Sequence, residues 1–494
     1  MYSLLVEPVD TVITPPHKDL ARVLDTALSF EPASAGYTRN VFWDGKIHLF
    51  NVRKSSFPTG LLVRVCHLLK EFGYEYQINN QLPKIEPNAN FQFTGQLRGY
   101  QEEDLKKLDI KNKKRGVVWA VTGAGKSIYL MKTIEEIQVK PVLILVDTRD
   151  LLYQMADFTK RLLGIEPGLF GSGFKDLSKD ITIAIIDSVW ESLGKKNSEK
   201  TTFDWQVCDY IHKIPVVMTD ECQNVPAKSF YSVHRQMYNA IYKTGLSGTP
   251  WRTDGYTLYI EAAIGPILVQ RPAQDLIKEG YLARPKILAL PVKKINDRSW
   301  NWGRVSDDYQ SIYSECIVQN TFRNGLIEQI LSFKQNLPAL ILVQRIEHGH
   351  ILHKTLESKG LKVHYLKGED FDIIRQQTFN DYRNNKIDVL IMTQIGNVGI
   401  DLPNIRCLII AGAGKSSVLT YQRVGRALRA CPGKTEVLIV DFRDYVKYLR
   451  GHSDERIRLY KAVGYETAVL SDIDEIQTHL HPRNTSQSNT PAMS

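Results

Sequence analysis

The sequence predicts an α/β protein in which two tandem parallel-sheet domains follow a small α+β N-terminal domain. Three observations carry this. Short apolar runs at 116–120, 142–146, 181–186 and 216–218 alternate with amphipathic helical stretches. A second series follows at 339–343, 363–366, 389–392, 407–410 and 437–440. Such alternation places helices on both faces of a parallel sheet. The chain is also 494 residues long, too long for one typical domain.

Residues 1–85 read as the small α+β domain. Val41-Phe42-Trp43 and Ile47-His48-Leu49-Phe50 flank Asp44-Gly45, a hairpin signal. Leu61, Leu62, Val65, Leu68, Leu69 and Phe72 recur at helical spacing. Tyr74 to Ile78 reads as a closing strand, and the proline- and asparagine-containing stretch 79–96 as a linker. The first α/β domain is assigned to 86–284 and the second to 285–480, with Pro285 to about Arg298 as the junction. The polar stretch 481–494 reads as a disordered tail.

Composition narrows the class. An apolar fraction of 43% and a charged fraction of 24% are ordinary for a globular protein. No apolar run reaches the ~18 residues of a membrane span. Met1 to Glu7 has no basic region and meets acid early, unlike a secretory signal. A cytoplasmic protein with no membrane partner is expected. Cys66, Cys208, Cys222, Cys316, Cys407 and Cys431 form no CxxC pair, which favours reduced thiols over disulfides or zinc. The net charge of +9 is compatible with a polyanionic partner. Residues 1–90 hold 9 Lys/Arg and 9 Asp/Glu, so the excess lies beyond them.

The string Gly-Ala-Gly-Lys-Ser occurs twice, at 123–127 and 412–416. Both copies lack the leading glycine of the GxxxxGK[ST] pattern, having Ala120 and Ile409 there. The first follows the apolar run Val117-Val118-Trp119-Ala120 and precedes Ile128, Met131, Ile134 and Ile137 at helical spacing. Strand, glycine loop and helix is the context in which backbone N–H groups cradle phosphates. Thr122, Gly123, Ala124, Gly125, Lys126 and Ser127 are therefore the candidate ATP loop. Lys126 reaches the β/γ-phosphates and Ser127 ligates Mg²⁺. Downstream, Val216-Val217-Met218-Thr219 runs into Asp220-Glu221. Asp220 is the second Mg²⁺ candidate and Glu221 the general base for the attacking water.

These residues carry a family resemblance. Asp220-Glu221-Cys222-Gln223 resembles motif II of superfamily 2 helicases, with Gln223 where histidine or aspartate is commoner. Leu97-Arg98-Gly99-Tyr100-Gln101 resembles the segment whose glutamine reads the adenine edge, implying nucleotide contacts by Arg98 and Gln101. Residues 147–154 resemble motif Ia, and Ile185-Ile186-Asp187-Ser188 stands where a TxxS-like motif is expected. Leu246-Ser247-Gly248-Thr249-Pro250 resembles motif III, residues 394–401 with Thr393 motif V, and 422–429 motif VI. The order implies two RecA-like domains. It implies Gly399 and Asp401 at the nucleotide, and Gln422, Arg426 and Arg429 as catalytic residues, the two arginines serving as arginine fingers. It implies nucleic-acid contacts by Thr148, Arg149, Gly171, Ser172, Gly173, Gln344, Arg345 and Thr393.

The second glycine loop reads differently. Lys415 lies 7 residues before Gln422, so its helix is the one bearing motif VI. Asp441 after the last apolar run is followed by Phe442-Arg443, not by a second acid. A strand-to-helix turn capped by Ser416 or Ser417 is the favoured reading. A nucleic-acid phosphate at the helix start is the other. The motif VI ending and the Trp43-Asp44-Gly45-Lys46 and Phe57-Pro58-Thr59-Gly60-Leu61 segments resemble phage UvsW-type branched-DNA helicases of the XPB-like group. That resemblance implies an ATP- and Mg²⁺-dependent, monomeric DNA motor acting on forks and recombination intermediates. An RNA helicase and the motor subunit of a restriction-type complex are the alternatives.

Overall fold

The computed structural model describes residues 1–32, 43–194, 203–224, 228–248, 256–292, 308–370, 372–393, 402–412, 414, 424–425, 427–472 and 475–476. The chain divides into two compact units, Met1–Pro272 and Ala273–Ser494. Among the described residues no helix is long and apolar enough to cross a membrane.

The first unit begins with strands β1 (Tyr2–Val6), β2 (Asp10–Thr14), β3 (Ser29–Phe30), β4 (Ile47–His48), β5 (Ser56–Pro58) and β6 (Tyr76–Asn80). They form a four-stranded sheet of order β5-β2-β1-β6 and a separate β3-β4 pair. Helices Lys18–Ala27 and Leu62–Glu71 bury Leu20, Leu24, Val65 and Leu69 against Leu4, Ile13 and Phe57. The hairpin expected around Asp44-Gly45 is corrected in part. Ile47–His48 pairs antiparallel with Ser29–Phe30, and Val41 and Phe42 lie outside the described residues.

The unit's second sheet contains β7 (Arg115–Ala120), β8 (Val142–Val146), β9 (Gly168–Gly171), β10 (Phe174–Lys175), β11 (Ile181–Ile185), β12 (Val216–Thr219), β13 (Tyr242–Ser247) and β14 (Ile267–Arg271). Its order is β10-β9-β11-β8-β12-β13-β7-β14. Every neighbouring pair is parallel except β10 with β9. Strands β7, β8 and β12 are buried along their whole length, which is why they read as unbroken apolar runs. The N-terminal sheet is fixed to this lobe by side chains. Arg235 grips Asp10 through two bonds of 2.7 Å, Arg64 pairs with Glu261 at 2.5 Å, and Arg115 donates to the carbonyl of Pro8.

The second unit has β15 (Arg284–Pro291), β16 (Ala339–Val343), β17 (Val363–Leu366), β18 (Val389–Thr393), β19 (Cys407–Ile410), β20 (Glu436–Arg443) and β21 (Glu466–Val469). All are parallel, in the order β17-β18-β16-β19-β20-β15-β21. The expected junction at 285–298 is corrected here. Residues 284–291 are a strand inside the sheet, paired with β20 on one side and β21 on the other. Its prolines, Pro285 and Pro291, sit near the two ends, where a missing N–H is tolerated. The tail 481–494 lies outside the described residues.

Candidate active site

The candidate phosphate loop stands where β7 ends and helix Lys126–Ile137 begins. Gly125 caps that helix at φ 77°, a left-handed conformation that favours glycine, with no side-chain cap bond. Ile128 N donates back to the Gly125 carbonyl at 2.9 Å, while the N–H groups of the first two helical residues have no acceptor within the helix, so the helix start presents donors to an anion. A Cβ at Gly125 would also lie 2.7 Å from Gln101 Nε2.

Gln101 is 2% exposed, and both polar atoms of its side-chain amide are hydrogen-bonded. Its Nε2 donates to the Ala124 carbonyl at 3.1 Å and its Oε1 accepts from Arg98 N at 2.9 Å. The Tyr100 hydroxyl donates to the same Ala124 carbonyl at 2.9 Å and receives Arg98 Nη1 at 3.1 Å. Arg98 and Gln101, expected at the nucleotide, are thus anchored to the candidate phosphate loop, Gln101 directly and Arg98 through Tyr100 and Gln101. Beneath them the buried Asp104 carboxylate accepts Tyr129 at 2.7 Å and Arg271 at 2.6 and 3.0 Å. This ties helix Gly99–Leu108, helix Lys126–Ile137 and β14 into one frame.

Across the sheet, β12 delivers the acids. Lys126 Nζ lies 3.5 Å from Glu221 Oε1. Asp220 is buried beside Glu221, and burial followed by repulsion from that neighbour pushes its carboxyl up to about 6, against a smaller opposing pull from Lys126. A divalent cation is the partner that offsets such a carboxylate. Ser127 and Asp220 supply the hard oxygen donors that Mg²⁺ prefers, so these residues fit the ion. Asp147, at the end of β8, is also raised, first by burial and then by Asp187 and Glu221. Glu221 has φ 47°, a strained setting for a non-glycine residue at a functional site.

Ser247 at the end of β13 completes the cluster. Gln223 Nε2 donates to Glu221 Oε2 at 2.7 Å, and the Ser247 hydroxyl donates to Gln223 Oε1 at 2.6 Å. Gly248 follows, where a Cβ would lie 3.0 Å from Lys126 Nζ and 3.5 Å from Thr122 Oγ1. The Gln223–Ser247 bond and the Asp104 frame were not foreseen from sequence. The signal was the polar residue two positions after Glu221, but its partner depends on β12 and β13 being neighbours.

The residues expected on nucleic acid lie at C-terminal strand ends. The Thr148 hydroxyl caps helix Arg149–Leu163, accepting from Leu151 N at 3.4 Å. Arg149 reaches the Tyr153 hydroxyl at 3.3 Å. Gly171 and Gly173 have φ 104° and 93° in the β9–β10 turn. In the second unit Gln344 and Arg345 are exposed just after β16, whereas Thr393 ends β18 buried. Arg345 stands 5.8 Å from the Tyr313 ring centroid.

The second glycine loop is held by its carbonyl groups. Arg323 donates to the Ala411 carbonyl at 3.1 and 2.9 Å, and Arg456 to that of Gly414 at 3.3 Å. Both guanidiniums are buried against acids: Arg323 on Asp444 at 2.7 Å, Arg456 on Asp441 twice at 2.8 Å. A Cβ at Gly412 would lie 2.3 Å from the Tyr313 hydroxyl. Arg429, the last residue of the 422–429 segment, forms an isolated antiparallel backbone bridge with Leu282. Gly399, Asp401, Lys415, Ser416, Ser417, Gln422 and Arg426 lie outside the described residues, as do Thr249 and Pro250.

Comparison with known proteins agrees with this layout. The family profile described as type III restriction enzyme, res subunit, matches residues 94–252. The helicase conserved C-terminal domain matches 323–431. A protein named DNA 3'-5' translocase XPB2, from Sulfurisphaera tokodaii, is 23% identical over 80% of this chain and 91% of its own. The ATP-dependent DNA helicase uvsW of Enterobacteria phage T4 is 22% identical over 85% of this chain and 88% of its own. In fold, the chain is similar to an ATP-dependent type ISP restriction-modification enzyme, LlaBIII, with TM-score 0.56, 14% identity and coverage of 85% of this chain and 36% of that one. S. cerevisiae Dbp5 gives TM-score 0.52 and 14% identity, covering 77% of this chain and 92% of its own. With the phosphate loop, the paired acids and both family profiles in sequence order, the chain belongs to the superfamily 2 helicases, as an ATP-hydrolysing member that resembles the UvsW and XPB types.

Proposed function

We propose that the chain is an ATP-dependent DNA helicase or translocase that remodels branched DNA such as forks and recombination intermediates. The observation that carries the motor reading is Lys126 Nζ at 3.5 Å from Glu221, with Asp220 beside it at the end of β12, one strand removed from β7 in the same sheet. The names of the two aligned relatives, a DNA translocase and a DNA helicase, support DNA as the substrate.

In this reading the first-turn amides and Lys126 bind the triphosphate. Ser127 and Asp220 would hold Mg²⁺, which when bound offsets charge on the phosphate oxygens. Glu221 accepts the proton of the attacking water, oriented by Gln223. Gln422, Arg426 and Arg429 of the second domain meet the γ-phosphate as the domains close, with Gly399 and Asp401 lining the nucleotide. Fingers of this kind are worth ~10³–10⁵ in rate. Hydrolysis lets the domains part, and the strand held by Thr148, Arg149, Gly171, Gly173, Gln344, Arg345 and Thr393 advances.

The test is ATP hydrolysis and unwinding on a panel of forks, four-way junctions, D-loops, blunt duplexes and RNA hybrids. Forks and junctions should stimulate most. Stimulation by RNA alone would replace the DNA reading with an RNA helicase. Stimulation only by blunt duplex, without unwinding, would favour a restriction-type motor.

A further inference from the structure

At one edge of the first unit's parallel sheet, a short hairpin presents an aromatic ring. Strands β9 and β10 are joined by a two-residue turn, Ser172 at φ 55° and Gly173 at φ 93°. Two consecutive positive φ values make the mirror-image turn whose twist matches a hairpin. Gly171 precedes it at φ 104°, and a Cβ there would lie 2.8 Å from Ser188 Oγ and 3.0 Å from Ile185 Cβ. The tip is therefore pressed onto the end of β11, and its direction is set by backbone geometry. On the other side of the turn Lys175 is tied to Asp204 at 2.6 Å.

Phe174 is the first residue after this turn and is 45% exposed. A single exposed phenylalanine means little. This one is backed. The Tyr153 ring meets it edge-on, with centroids 6.2 Å apart and planes at 90°. Tyr153 is held in turn by Arg149 one helical turn earlier. The guanidinium lies 5.5 Å from the Tyr153 centroid, and its Nε and Nη2 donate to the hydroxyl at 3.4 and 3.3 Å. A cation, a fixed ring and an exposed ring are thus lined up at the C-terminal strand ends, the side of the sheet that carries Thr148 and Gly171.

We propose that Phe174 is a stacking platform for an unpaired nucleobase of a bound single strand, with Tyr153 as the positioning residue behind it and Arg149 fixing Tyr153. The proposal rests on the nucleic-acid reading above and adds a mode of contact to it: the π-face of a base, in addition to backbone phosphates. Every base offers such a face, so this contact is tolerant of sequence. It holds one nucleotide at the hairpin whatever base occupies the position.

The experiment uses the full chain and single-stranded DNA oligonucleotides carrying one 2-aminopurine at successive positions. In the wild-type protein one position should show strong stacking quench. Phe174→Ala should abolish that quench and weaken binding about tenfold. Phe174→Leu keeps apolar bulk without a π-face and should behave like the alanine variant, while Phe174→Trp should retain quench and affinity. The slope of log K against log salt should be the same in Phe174→Leu as in wild type, because no ion pair is removed, whereas Arg149→Gln should reduce it by about 0.7. Wild-type quench and affinity in Phe174→Leu would overturn the platform while leaving nucleic-acid binding intact. No binding by the wild-type protein would remove the nucleic-acid reading itself, and the platform with it.

Discussion

The side-chain amide of Gln223 donates to Glu221 Oε2 at 2.7 Å. Because Gln223 Oε1 also receives the Ser247 hydroxyl at 2.6 Å, the orientation of the proposed base is set by the end of β13. Ser247 precedes Gly248, which borders Lys126. Whatever moves the β13 end therefore moves the base. Gln223→Leu should lower kcat for ATP by about 10–100-fold, the worth of a hydrogen bond to a charged group, with little change in KM. Steady-state ATPase kinetics check this, and a change confined to KM would contradict it.

Glu221→Gln keeps the shape of the site and removes the proton acceptor. Turnover should fall by about 10²–10⁴ while ATP still binds. Single-turnover hydrolysis alongside nucleotide binding separates the two effects. Unchanged hydrolysis would refute Glu221 as the base.

Asp220 gives a pH signature. Its carboxyl is pushed up to about 6 in the folded protein from an ordinary 3.8. Between about pH 4 and 6 the folded chain keeps a proton that the unfolded chain has released, so nucleotide-free stability should fall as pH rises through that window. Asp220→Asn should remove this fall and leave the protein more stable than wild type at pH 7, by on the order of 2 kcal/mol, with the two converging near pH 4. Thermal unfolding across pH without nucleotide or Mg²⁺ measures it. An asparagine variant less stable at pH 7 would contradict the account of the buried acid.

Gly60 tests the docking of the N-terminal sheet. A Cβ there would lie 2.0 Å from the Glu261 carbonyl oxygen and 2.6 Å from that of Ala262. Backbone cannot yield as a side chain does, so Gly60→Ala should cost about 1–3 kcal/mol. Hydrogen exchange should rise together at 56–62 and 257–264. Exchange unchanged at both would mean that the contact carries no stability.

The strand, glycine loop and helix at 115–137 and the position of the paired acids after β12 were legible because their pattern is local: strand, glycines and lysine within eleven residues, and two acids at the end of a largely apolar strand. Pairing over distance was not. Strand β15 carries Pro285 and Pro291 and reads as a break, yet it lies between β20 and β21, where the prolines fall near its ends. The two-residue strands β3 and β4 join Ser29 to His48, and no periodicity shows in so short a run. Gln223 and Ser247 are 24 residues apart and meet only because β12 and β13 are neighbours. The second glycine loop shows the reverse problem. Its five residues match the first copy, but Ala411 and Gly414 turn carbonyls toward Arg323 and Arg456, and those arginines are far away in sequence.

Of the two identical strings, the copy at 123–127 is the one expected to bind ATP. Equilibrium titration of the full chain with a fluorescent, slowly hydrolysed ATP analogue, with Mg²⁺ present, tests it most directly in wild type, Lys126→Ala and Lys415→Ala. One site per chain is expected in wild type, with loss of that site in Lys126→Ala and near-wild-type affinity in Lys415→Ala. Two sites in wild type, or loss of binding in Lys415→Ala, would contradict it.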